Sequence, residues 1–115
     1  MPAPAVINFA LLATVAWTEI AWWEGRWADR RMSCDFSSVD VPMKLSWNLL
    51  TLGEAECISI KEQAVDHRRL RLNATCQEHG EATTRPRSFI LKPSGGGEAM
   101  TMSDGTAYWQ LRRCR

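Results

Sequence analysis

At 115 residues the chain holds one domain at most. A formal net charge of +1 is too balanced for a nucleic-acid binder, which shows a strong basic excess. Hydrophobic content of 45% argues for a folded chain and against disorder.

Cysteine usage bears on the compartment. Cys34, Cys57, Cys76 and Cys114 are an even number spread through a small domain, which points to two disulfides and an oxidising environment. Free buried thiols are the competing reading. A metal site is the weakest, because no two cysteines stand within four residues of each other.

Residues 1–23, MPAPAVINFALLATVAWTEIAWW, carry no charged side chain except Glu19. An apolar core at Ala5 to Ala16, with Thr14 and Ala16 at the −3 and −1 positions of a cleavage site, reads as a signal peptide that lacks its basic start. Two alternatives stand beside it. The segment is an uncleaved membrane anchor, with Trp17, Trp22 and Trp23 at headgroup level, or it is part of the fold.

Residues 24–115 read as a disulfide-stabilised domain of short strands, because apolar residues recur with period two between turn residues. GRWADR sets Trp27 on one face. KLSWNLLTL reads as a single strand with Leu45, Trp47 and Leu49 on one face. CISIKEQ sets Ile58 and Ile60 against Ser59 and Lys61. RLRLNATC sets Leu70, Leu72 and Ala74 against Arg69, Arg71 and Asn73, and RSFILK is a short strand after Pro86. In EAMTMSDGTAYWQLRR, Asp104-Gly105 is a favoured hairpin turn. Centring the turn there places Met102 opposite Ala107 and Met100 opposite Trp109, with Leu111 on the same, core-facing side. Regular short strands joined by tight turns predict an all-β protein. Closure into a small antiparallel up-and-down barrel removes the exposed edges. SCDFSSVDVP and KPSGGGE are the longest polar connections.

Strand parity suggests a disulfide pairing. A hairpin turning at Asp66-His67 sets Cys57 opposite Cys76, but Cys57 then shares a face with Ser59 and Lys61 while Cys76 shares one with Leu70 and Leu72. Only a bulge reconciles the two. Without one, Cys34–Cys57 and Cys76–Cys114 are preferred.

The triplet Gly25-Arg26-Trp27, entering the first strand of such a barrel, resembles the opening of the calycins: lipocalins, avidins and the Inh-type secreted bacterial metalloprotease inhibitors. The cysteine layout through Cys114 also resembles small exported bacterial proteins. The resemblance implies a calycin-like barrel in which Gly25 and Trp27 close one end and Arg112 or Arg113 packs across the indole. It covers residues 25–114 as a layout. Two points depart from the inhibitors: two candidate disulfides stand here instead of one, and no segment matches their protease-blocking N-terminus.

Catalytic chemistry finds little support. His67 and His79 both have polar flanks and read as solvated turn residues. Glu54 with Glu56, and Glu78 with Glu81, are close in sequence but have no evident reason to converge. The stretch SGGGE lacks the lysine and the strand-to-helix setting of a phosphate loop. HRRLRL with Arg85 and Arg87 reads as a solvated basic face, and the NAT at 73–75 as a chance glycosylation match. Trp27, Trp47 and Trp109 read as core; a hollow barrel would instead line its cavity with Trp47, Met100, Met102 and Trp109.

The expectation is a non-catalytic, periplasmic or secreted binding protein without cofactor or metal. Its partner is a protein, a protease being the example the resemblance suggests. The alternatives are a lipocalin-like carrier of a small apolar ligand, or an envelope-anchored structural protein that meets the membrane only if residues 3–23 are retained. Nucleic acid is not expected.

Overall fold

The computed structural model describes residues 21–35 and 42–115. Residues 1–20 of the export or anchor segment expected over 1–23, and the middle of the SCDFSSVDVP loop, lie outside the described residues. Eight antiparallel strands run in sequence order: β1 (Gly25–Ala28), β2 (Met43–Ser46), β3 (Leu49–Leu52), β4 (Ala55–Ala64), β5 (Leu70–Glu78), β6 (Arg85–Ser94), β7 (Ala99–Ser103) and β8 (Tyr108–Arg113). Each pairs with its neighbour, and β8 pairs back onto β1 through Trp27↔Arg113 and Ala28↔Arg112, so the sheet is a closed up-and-down barrel. The expected fold class is the one observed. Among the described residues no helix is long and apolar enough to cross a membrane.

Alternation along the strands fills the interior. Leu45, Leu50, Cys57, Leu72, Ala74, Phe89, Leu91, Met100, Met102 and Leu111 form one buried cluster with Trp23, Trp27, Met43 and Cys76. Burying an aliphatic or aromatic side chain of this kind contributes roughly 1.5–3 kcal/mol. Trp23, counted in the sequence with the segment that precedes the barrel, is 1% exposed and belongs to this core.

Three local expectations change. The stretch KLSWNLLTL is a hairpin, β2 and β3 turning at Trp47-Asn48, and not one strand. The Ser46 hydroxyl donates to the Leu49 carbonyl at 2.9 Å across the turn. Trp47 therefore sits at the tip, 68% exposed, outside the core where it was expected. In the last hairpin Met102 pairs with Trp109 and Met100 with Leu111. Asp104 Oδ1 accepts the amides of Thr106 (2.9 Å) and Ala107 (2.7 Å), which draws four residues into the turn. The resulting shift is two residues, so the inward and outward faces are preserved.

The third change concerns the disulfides, which are Cys57–Cys76 and Cys34–Cys114 and not the preferred Cys34–Cys57 and Cys76–Cys114. The reason is a bulge between Ile58 and Lys61, where Ser59 adopts a φ of 58°. Before it, Cys57 pairs with Cys76 and faces the core; after it, Glu62 pairs with Leu72. One extra residue thus reverses the parity of the second half of β4, leaves Ile58 exposed on the outer wall, and puts the cysteine bridge inside the barrel. Cys34–Cys114 instead ties the chain beyond β1 to the end of β8 on the outer side, since Cys114 follows the outward Arg112 by two residues. Both bonds are consistent with an oxidising environment outside the cytosol.

Candidate functional site

The barrel interior is the first place to look for a site, and it is packed. Met100 and Met102 are buried among Leu72, Phe89 and Leu91, Trp109 is partly buried against them, and Trp47 is far out at its turn. Of the four residues suggested as a cavity lining, Met100, Met102 and Trp109 meet in this core and Trp47 does not.

Both ends of the barrel are covered by cations over aromatic rings. At one end the Arg113 guanidinium lies 4.3 Å from the Trp27 ring centroid. It donates to the carbonyls of Trp22 (2.6 Å), Glu24 (2.8 Å) and Gly97 (3.2 Å). Gly25 has a φ of 135°, and a Cβ there would stand 2.7 Å from Arg113 Nη1, so glycine meets both a backbone and a steric demand. The indole N–H of Trp27 donates to the Trp23 carbonyl at 2.9 Å, and that of Trp23 to Glu62 Oε1 at 2.7 Å. Each buried ring thereby keeps its one donor satisfied. Arg112 points to the outer side and donates to the carbonyls of Ala28 and Asp29. At the other end Arg87 lies 4.9 Å from the Phe89 centroid and is paired with Asp104 (2.7 Å) and Glu78 (3.5 Å). The Asp104 carboxyl is held below the usual carboxylate range by the Ala107 amide first, then by the Thr106 amide and Arg87.

The open concavities lie outside. One, of about 460 Å³, runs between the turn at Asp29–Arg31 and the start of β8, and is walled by Arg30, Arg31, Ala107, Tyr108, Trp109 and Gln110. A second of about 400 Å³ is formed by Arg68, Lys92, Pro93, Ser94, Gly95, Thr101 and Tyr108. Tyr108, 63% exposed, belongs to both. The barrel's register explains the placement. Alternation turns Trp109 and Leu111 inward and Tyr108 and Gln110 outward, and the pairs Arg71↔Ile90, Ile90↔Ser103 and Ser103↔Tyr108 form one outward row across four strands. Sequence reasoning did not single out Tyr108, Arg30, Arg31 or Lys92. The usable signal was the alternation in AYWQLRR, which already sets Tyr108 and Gln110 opposite to Trp109.

His67 stands exposed in the β4–β5 turn, beside Trp22, Asp66 and Pro93; His79 lies in a small cleft with Glu54, Glu56, Gln77 and Glu78. Neither cleft is lined by a serine, threonine or cysteine. Among the described residues no three His, Cys, Asp or Glu side chains are grouped to hold a metal ion. Of the arginines read as a basic face, Arg69 pairs with Asp66, Arg85 with Glu81 and Arg87 with Asp104.

No protein-family model, curated protein or solved structure matches the chain.

Proposed function

We propose that the chain is an exported, non-catalytic binding protein that engages a protein partner through the outside of its barrel. The observation that supports this most is the contrast between a packed interior and open outer clefts around Tyr108. A lipocalin-type carrier needs a cavity that takes up most of its ligand's surface, whereas here Phe89, Leu91, Met100 and Met102 occupy that space. The two disulfides favour the periplasm or the exterior as its place of work. The calycin-like layout makes a secreted metalloprotease the first partner to test, by inhibition of its activity with the folded, oxidised chain.

The general reading is tested by a photo-cross-linking side chain in place of Gln110, on the outer wall, and separately in place of Thr83 in the β5–β6 connection. An adduct with another protein is expected at 110 and not at 83. Native mass spectrometry of the protein from its producing cell tests the alternative. A small apolar molecule travelling with the barrel, with tryptophan quenching on its return, would overturn the proposal in favour of a carrier.

A further inference from the structure

We infer that the wall centred on Tyr108 docks an acidic segment of the partner, one in which carboxylate side chains flank an apolar residue. This rests on the binding function proposed above and names the chemistry of its partner. The charge arrangement carries it. Among the described residues several basic groups elsewhere are compensated: Arg69 by Asp66, Arg85 by Glu81, Arg87 by Asp104 and Glu78, and Arg113 and Arg115 by Glu98. Arg71 bonds to Gln63, and Arg112 to the carbonyls of Ala28 and Asp29 beside the wall. Arg30, Arg31, Arg68 and Lys92 have no carboxylate partner among the described residues. They stand on the two sides of one exposed tyrosine, Arg30 and Arg31 in one cleft, Arg68 and Lys92 in the other.

The one acid in either lining, Asp29, is engaged locally: its Oδ1 accepts the amides of Arg31 (2.8 Å) and Met32 (3.1 Å). Four cations without a carboxylate partner among the described residues thus flank one exposed tyrosine. Guanidinium groups take carboxylates in bidentate fashion. The Tyr108 ring between the two pairs offers an apolar body with a polar tip, the composition that anchors protein interfaces.

A protein segment fits better than a nucleic acid. Binding to a phosphate polymer grows with the number of phosphates neutralised, and binding of single strands adds a series of stacking rings. This wall has four such cations and one exposed ring, and the same barrel carries Glu54, Glu56 and Glu78 around another cleft.

The test is fluorescence anisotropy with the oxidised protein and three labelled probes: a short peptide of alternating glutamate and leucine, its glutamine counterpart, and a single-stranded DNA oligonucleotide. The glutamate peptide should bind, at least about tenfold more tightly than the glutamine one, a difference of about 1.4 kcal/mol. The pairs Arg30→Glu with Arg31→Glu, and Arg68→Glu with Lys92→Glu, should each weaken it about tenfold or more, as should Tyr108→Ala. Arg85→Glu should leave it unchanged. Circular dichroism and a free-thiol assay on every variant separate lost binding from lost fold. Equal binding of the two peptides, or indifference to both charge reversals, overturns the inference. So does DNA binding that is tighter than peptide binding and unaffected by Tyr108→Ala. If the peptides fail while the cross-link at 110 persists, the acidic chemistry is wrong and the binding function stands; loss of both overturns the two together.

Discussion

Gly25→Ala tests how the barrel's end is closed. The substitution puts a Cβ on a residue with φ 135°, a conformation L side chains rarely adopt, and sets that carbon 2.7 Å from Arg113 Nη1. Backbone strain of this kind costs about 1–3 kcal/mol. The steric conflict falls on the far end of a flexible side chain, so the outcome depends on how firmly Arg113 is held. Three carbonyls and the Trp27 ring hold it, and the shortest escape breaks the 2.8 Å bond to the Glu24 carbonyl. A hydrogen bond from a charged donor is worth about 1.5–3 kcal/mol, so the expected total is roughly 2.5–6 kcal/mol, against a domain stability of about 5–15 kcal/mol. The assay is urea unfolding followed by tryptophan fluorescence, with disulfides intact, on wild type, Gly25→Ala, Arg113→Ala and the double variant. In the Arg113→Ala background the steric part vanishes, so Gly25→Ala should cost only its backbone strain, and the cycle should give a coupling of about 1.5 kcal/mol or more. A cost below about 1 kcal/mol for Gly25→Ala, or the same cost in both backgrounds, would refute the reasoning.

Peptide mapping without reduction should yield Cys57 joined to Cys76 and Cys34 to Cys114; a Cys34–Cys57 peptide would contradict the bulge at Ser59. On the chain-entropy account the Cys57–Cys76 bond, spanning 19 residues, contributes about 3 kcal/mol and Cys34–Cys114, spanning 80, about 4.5 kcal/mol. Denaturant curves of the two double cysteine variants should rank in that order. Trp47→Ala should change stability by no more than about 0.5 kcal/mol, while Trp27→Ala should cost about 3–5 kcal/mol, measured by the same unfolding curves. Asp104 titrates lower when folded than unfolded, so the unfolded chain binds more protons between the two values. Its stabilising contribution is present above its ordinary pKa of about 3.9 and fades as pH falls through the lowered one. Asp104→Asn should destabilise the protein at neutral pH by about 1–2 kcal/mol and flatten the loss of stability on acidification; equal acid sensitivity in both proteins would count against this. Asp66 and Glu98, also lowered, leave a residual acid dependence.

Much of the architecture was legible in the chain because a strand's faces follow from period-two alternation. Leu70, Leu72 and Ala74 were expected on one face, and Met100, Met102 and Leu111 on another core face; Leu72, Ala74 and those three are buried. Four spread cysteines and a run of short strands sufficed for a disulfide-bonded all-β barrel. The wall around Tyr108 was not legible. Its members come from Asp29–Arg31, the β4–β5 turn, the end of β6 and the start of β8; hairpin pairing of β5 to β8 gathers the last three, and closure of the sheet brings Asp29–Arg31 beside β8.

Sequence by itself determined composition, the alternating faces, and hence the class of fold, since burying one side of every strand is a local requirement summed over the chain. Tertiary structure alone decided which cysteines meet, where Trp47 goes and how the last hairpin is registered. Each of these turns on one or two residues entering or leaving a strand: Ser59 as a bulge, Trp47 and Asn48 as a turn, Thr106 and Ala107 as part of a four-residue turn. One added residue reverses a strand's faces and two restore them. The partner strands that pair on either side fix these choices, with the Asp104 carboxylate closing the last turn locally.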